Sequence, residues 1–267
     1  MKINSSFNSG KQLNSILQNQ KKTFDKLASG KRINSAADDP AGLAIAEALK
    51  TAVNTLGQAS RNIGDVNSAA QIKESALNEI GNISSRLNEL ATQSANGTLS
   101  DTQRSALQQE FSALTQEVQR ISQTTQFNGK NLLDGSSISA QVGTDSSADS
   151  QIVLQGTDVS TAILNVASQN ISTSEGAKNA LSSISNFSNE ITSARGDIGA
   201  GVRRLEVASN SIAVERENSA AAESRIRDAD IAQSVADKVR NDILSQSNTA
   251  LQAQSKISAQ NVLKLLA

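Results

Sequence analysis

Cysteine and histidine are both missing from the 267 residues. Without cysteine there is no disulfide, no thiolate metal site and no thiol nucleophile. Without histidine the commonest general base, the commonest metal ligand and every triad built on an imidazole are excluded. An enzyme would have to work with Asp, Glu, Lys and Ser alone. Aromatics amount to 2%, five Phe with no Trp or Tyr, within a hydrophobic share of 37% that is largely Ala. That is too little bulky volume for one thick core, and it favours thin elements packed along their length. No run of about 18 apolar residues occurs, so no membrane insertion is expected. The opening Met1 to Phe7 lacks the apolar stretch of a cleaved signal peptide. By composition alone the chain reads as cytoplasmic.

The net charge of -1 hides an uneven placement. Residues 1–32 carry seven Lys or Arg against Asp25 alone, and residues 225–267 carry six against four acids. The middle is acidic. The aromatic, Gly-rich or Arg-rich features that accompany nucleic-acid binding are missing from both basic ends, so no nucleic-acid partner is expected.

The apolar spacing is helical almost throughout. Ile3, Leu17 and Phe24 fall seven or fourteen residues apart, with Phe7, Leu13 and Leu27 among the apolar residues of the same segment. Gly10 and Gln20 occupy inward positions of this stripe, which predicts a helix that is weak alone. Gly30 reads as its C-terminal cap. Asp39-Pro40 starts the next helix, with Asp39 as cap and Pro40, the only proline, at the first helical position. Between them, residues 30–40 form a joint. From 41 to 95, Leu49, Leu56, Ile63, Ala70 and Leu77 repeat at sevens, a coiled-coil seam in a helix of roughly 80 Å. Asn96-Gly97 ends it, and Ser100 with Gln103 forms a capping box for a helix that folds back antiparallel. The helical period is lost between Phe127 and about residue 171. There Ile138, Ala140 and Val142 alternate with polar residues, predicting a hairpin with Ile152-Val153-Leu154. Ser172 to Glu175 opens another helix with a capping box, and its seam runs Ile184, Ile191, Ile198, Leu205 and Ile212. The last segment is amphipathic, with Ile231, Val235, Val239 and Ile243 at fours, then Leu251, Ile257, Val262, Leu263, Leu265 and Leu266.

Several long motifs resemble one family. Ile3-Asn4-Ser5 and the stretch Leu27-Ala28-Ser29-Gly30-Lys31-Arg32-Ile33-Asn34-Ser35-Ala36-Ala37-Asp38-Asp39-Pro40-Ala41-Gly42 resemble the N-terminal signature of bacterial flagellins. Gln93-Ser94-Ala95-Asn96-Gly97 and Gln126-Phe127-Asn128-Gly129 are similar to two more of its blocks. Ser224 to Ala232 and Ala259 to Leu266 resemble its C-terminal blocks. The resemblance implies a mainly α protein, a long antiparallel coiled-coil helical bundle with a small β-hairpin, whose paired terminal helices form a separate inner coiled coil. It implies a short form without large outer domains. Residues 1–40 and 225–267 would make the terminal polymerisation domain, and 41–224 a helical rod with the hairpin insert at about 130–171.

The implied function is the structural subunit of the flagellar filament, stacked head to tail in a helical tube for motility. A hook-junction or coiled-coil adaptor protein is the alternative, and an enzyme working through Asp38 and Asp39 is a distant one. The implied location is outside the cell, reached by export without a cleaved signal peptide, which replaces the cytoplasmic reading. No cofactor is expected. Implied partners are further copies of the chain, an export chaperone at the C-terminal helix, and the filament cap and hook-junction proteins.

Because the terminal stripes are broken or weakly filled, both ends are expected to order on polymerisation. The expected contacts are Ile3, Phe7, Leu13, Leu17, Phe24, Leu27, Ile231, Val235, Val239, Ile243, Leu251, Val262, Leu263 and Leu266. Ser85 to Ala91 also resembles the flagellin segment read by the animal Toll-like flagellin receptor, and Gln109-Glu110-Phe111 is similar to its partner segment. Arg86, Leu90 and Glu110 hold the matching positions, as donor, apolar anchor and acceptor on one ridge. Asn88 stands where many flagellins carry a second Arg. The plainer reading is that Leu87 packs inward while Arg86 and Glu110 are solvated or contact other subunits.

Overall fold

The computed structural model describes the backbone of residues 3–145 and 147–266, and the side chains of 10–145, 147–257 and 260. Six α-helices and four short strands follow in the order α1 (Ile3–Ser29), α2 (Pro40–Ala95), α3 (Asp101–Thr124), β1 (Gln126–Phe127), β2 (Lys130–Asn131), β3 (Ile138–Gln141), β4 (Gln151–Leu154), α4 (Val159–Ala167), α5 (Ser174–Arg227) and α6 (Ile231–Leu266). The helix boundaries have local causes. Gly30 leaves α1 at φ 69°, a conformation that costs glycine little. Asp39 Oδ1 accepts the Gly42 amide at 2.9 Å and caps α2 ahead of Pro40. Ser100 and Gln103 form the reciprocal capping box of α3.

The chain divides into two compact units, Met1–Val53 with Glu217–Ala267, and Asn54–Arg216. The dividing lines fall inside α2 and α5.

The unit of residues 54–216 holds a continuous core. Leu56, Ile63, Ala70 and Leu77 of α2 and Ile184, Ile191, Ile198, Leu205 and Ile212 of α5 are all buried in it. Ser174 Oγ donates to the Ala95 carbonyl at 2.8 Å, and Arg195 Nε meets Glu74 Oε1 at 2.9 Å. Those two contacts fix α2 and α5 antiparallel. Gly201 allows Leu154 of β4 to press against α5, since a Cβ there would lie 2.1 Å from Leu154 Cδ2. Arg104 of α3 is buried and ties down the end of α2, with Nε to the Ser94 carbonyl at 2.9 Å and Nη2 to the Asn96 carbonyl at 2.8 Å.

β3 and β4 pair antiparallel, Ile138 opposite Leu154 and Gln141 opposite Gln151, as the alternation predicts. Two elements between 127 and 171 depart from the sequence reading. β1 and β2 close a second, tighter hairpin at Asn128-Gly129. A nine-residue helix, α4, replaces the expected irregular stretch. Asp158 caps it through the Thr161 amide, and Val159, Ile163 and Val166 are buried at a spacing of four and three. The start of α5 also differs: Thr173 Oγ1 caps it through the Gly176 amide at 3.1 Å, and the glycine at that third position cannot complete a capping box.

The unit formed by the two ends pairs α1 with α6. At its base, the Arg32 amide donates to the Arg227 carbonyl at 2.6 Å and the Ala229 amide to the Gly30 carbonyl at 3.0 Å.

Candidate functional site

The pairing of α1 with α6 has an unusual distribution of polarity. On α1 the inward positions are Leu13, Ile16, Gln20, Thr23 and Leu27, spaced by three and four; Ile16 and Thr23 are buried and the others half-buried. On α6 the inward positions are Ser234, Lys238, Asn241, Ser245, Asn248 and Gln252. The α6 side of the seam is therefore polar. Gln20 Nε2 donates to Asp242 Oδ1 at 2.6 Å, and Lys238 Nζ donates to Asp242 Oδ2 at 2.9 Å. These two side-chain contacts hold the Asp242 carboxyl below the usual aspartate range.

The apolar residues of α6 lie elsewhere. Ile231, Val235, Val239, Ile243 and Leu251 are exposed, Leu251 at 65%, and Leu244 and Ile257 join them. On α1 the single stripe expected from the sequence resolves into two. Leu13 and Leu27 belong to the inward seam, whereas Leu17 and Phe24 sit one position further round and are exposed, Phe24 at 62%. The side chains of Ile3, Phe7, Val262, Leu263 and Leu266 lie outside the described residues.

Arg227 was not singled out by sequence reasoning and is the hub of this unit. Its side chain is 11% exposed, Nη1 meets Glu47 Oε1 at 2.7 Å, and Glu223 lies 3.9 Å away. Arg32 Nη2 donates to the neighbouring Ile226 carbonyl at 2.6 Å. The signal was available in the Arg225-Ile226-Arg227 block, but its partner at Glu47 is 180 residues away in the chain.

Asp38 and Asp39 serve the joint. Asp38 Oδ2 accepts the amides of Asn34 and Ser35 at 3.2 and 3.0 Å, and these bonds pull its carboxyl below the usual range. Asp39 is engaged as the α2 cap. Both carboxylates are thus committed to main-chain amides. Among the described residues no cluster of His, Cys, Asp or Glu suits a metal ion, and no helix is long and apolar enough to cross a membrane.

In the 54–216 unit, Arg86 bridges two acids, Nη2 to Glu110 Oε1 at 2.8 Å and Nη1 to Glu89 Oε2 at 2.8 Å. Both matched charged residues are exposed and brought together. Leu90 is not on that ridge. It is fully buried with Leu87 in the core, so the apolar anchor expected beside Arg86 is corrected to a packing residue. The spacing of Ile80, Ile83, Leu87 and Leu90 by three and four puts them on one face of α2, in one core with Phe111 of α3 and Ile184 of α5.

Residues 3–138 match the bacterial flagellin N-terminal helical region, and residues 181–266 match the bacterial flagellin C-terminal helical region. The chain belongs to the bacterial flagellin family. It is 39% identical over 252 residues to a flagellin of Halalkalibacterium halodurans, an alignment covering 94% of this chain and 93% of that one. It is 38% identical over 259 residues to the flagellar filament 30.7 kDa core protein of Treponema maltophilum, covering 91% and 90% of the two chains. The crystal structure of Bacillus cereus flagellin is similar to 57% of this chain at a TM-score of 0.51 and 28% identity, with 88% of that chain covered. Membership makes this chain a structural protein of the flagellar filament rather than an enzyme, in a short form without a large outer domain.

Proposed function

We propose that this chain assembles head to tail into the flagellar filament by burying the outward apolar stripes of its paired terminal helices against other copies. The observation that carries the reading is the polar α6 side of the seam, with Gln20 and Lys238 hydrogen-bonded to Asp242, while Leu17, Phe24, Val235, Val239, Ile243 and Leu251 are left outside. Apolar surface left in water is a driving force that only a partner can use. A repeated head-to-tail contact that does not close gives a helical polymer.

On this reading residues 1–40 and 225–267 form the polymerisation domain and become fully ordered in the filament. Residues 41–224 are the self-sufficient part. The exposed face of α6 is then also the surface an export chaperone would shield before assembly, and the two filament ends would meet the cap and hook-junction proteins. Arg86 and Glu110 serve a subunit contact, and the animal receptor would meet these two charged groups without Leu90.

The test is Val239→Asp. Electron microscopy after addition of a precipitating salt should show no filaments, while circular dichroism of the soluble subunit retains the helical signal of the 54–216 unit. Normal filament yield from this variant would refute the assignment of the α6 face.

A further inference from the structure

Two Asn-Gly pairs stand at turns, Asn96-Gly97 after α2 and Asn128-Gly129 between β1 and β2. In such a pair the glycine nitrogen is free of Cβ hindrance and can reach the side-chain amide carbon of the asparagine. The two pairs differ in how they are held. Asn96 is exposed, and its Oδ1 accepts the Thr98 amide at 3.2 Å. This is an Asx turn, which folds the asparagine side chain back over the intervening Gly97 nitrogen. The Asn96 carbonyl is fixed by Arg104 Nη2 at 2.8 Å, and the space around Gly97 is open, with nothing within 4 Å of an added Cβ. The Gly97 N–H has no acceptor among the described residues. Asn128, by contrast, has φ 50° in a two-residue hairpin turn with Gly129 at φ 77°. Its side chain makes no hydrogen bond among the described residues, so no donor stands at its Oδ1.

We propose that Asn96 is a self-modification site, converting without an enzyme to aspartate and isoaspartate through a succinimide formed with Gly97. The Gly97 nitrogen loses its proton to hydroxide and bonds to Asn96 Cγ. The Cγ–Nδ2 bond breaks, and the nitrogen leaves as ammonia with a proton from water. A further water then opens the five-membered ring at either carbonyl. Net, one amide and one water give one carboxylate and one ammonium. The Thr98 N–H is placed where Oδ1 gains negative charge as Cγ becomes tetrahedral, the arrangement of an oxyanion hole. Opening at the main-chain carbonyl routes the backbone through the side chain and adds a methylene to the α2–α3 connection. Either product sets a new carboxylate beside Arg104, whose guanidinium holds the end of α2.

The full chain carries its own control, because both asparagines precede glycine. Incubated at mildly alkaline pH in concentrated urea, then digested and read by mass spectrometry that resolves isoaspartate, the two sites should convert at similar rates. In the folded chain Asn96 should convert roughly tenfold faster than Asn128, the rate value of about one hydrogen bond to a developing charge. Thr98→Pro, which removes the amide donor and keeps the Asn-Gly pair, should bring Asn96 down to the Asn128 rate. A folded-state ratio at or below one would overturn the proposal whether or not the proline variant folds.

Discussion

Among the described residues, Phe24 is the largest apolar side chain left outside in the α1–α6 pair, at 62% exposed. Fully burying a phenylalanine is worth about 1.5–3 kcal/mol, so covering the part still wet in the single chain is worth about 1–2 kcal/mol per added subunit. In a helical polymer each incoming subunit makes the full set of contacts once, and the critical concentration is the dissociation constant for that step. A loss of about 1–2 kcal/mol in Phe24→Ala therefore raises the critical concentration about 5- to 30-fold. The assay is seeded assembly, followed by sedimentation and measurement of the subunit left in solution. Ile16→Ala on the same helix is the contrasting case. Its side chain is 7% exposed and faces α6, so it should loosen the pair in the free subunit, seen as lost helical signal before any assembly. A Phe24→Ala critical concentration within about twofold of the parent would refute the outward-stripe argument, since that is the scatter expected of a surface change with no partner.

Three further outcomes follow from the packing and the charges. Ile184→Ala, at a fully buried seam position, should cost about 2–5 kcal/mol, read as a lower denaturant midpoint of the 54–216 unit. Gly201→Ala forces Leu154 away from α5 and should cost about 1–3 kcal/mol in the same assay, with the loss recovered when Leu154→Val is added. Lys73 is buried with Nζ donating to the Gln155 carbonyl at 2.8 Å, and desolvation pushes its ammonium below the ordinary 10.5 while Asp134 and Asp197 pull it part-way back. The unfolded chain thus holds this proton in an alkaline window where the folded chain releases it. Stability from this site is then lowest at neutral pH and rises towards 10.5. Lys73→Met should flatten that rise in denaturant midpoints measured across alkaline pH.

Much of the 54–216 unit was legible because its helices are long and their seams repeat without interruption. Leu56 to Leu77 and Ile184 to Ile212 offer many turns of the same signal, and the caps at Asp39 and Ser100 are local chemistry. The segment from 126 to 167 was read less well for the opposite reason. α4 spans nine residues, too short for its four-and-three spacing of Val159, Ile163 and Val166 to stand out among the surrounding Ser, Thr and Asn. β1 and β2 have two residues each, and only Asn128-Gly129 marks them. Leu90 was misplaced because a matched position says which residue stands on the helix and not which face it occupies. The spacing of three and four through Ile80, Ile83 and Leu87, carried one step further, turns it inward.

The seam of the terminal pair was hidden for a deeper reason. Apolar spacing finds the face that leaves water, and in α1 and α6 much of that face does not leave water within one chain. Gln20 looked like a hole in a stripe, yet it is a hydrogen-bonding member of the seam, chosen by Asp242 far along the sequence. A pair held by such contacts is weakly held, since each net hydrogen bond is worth only about 0.5–1.5 kcal/mol and several seam groups stay half-wetted. Had apolar residues also filled the α6 side of the seam, the pair would be complete in the single subunit and would keep little surface for a second copy. Placing them outward leaves the ends marginal alone and transfers their stabilisation to the polymer, while the dry seam of α2 and α5 keeps the rest of the subunit folded before assembly.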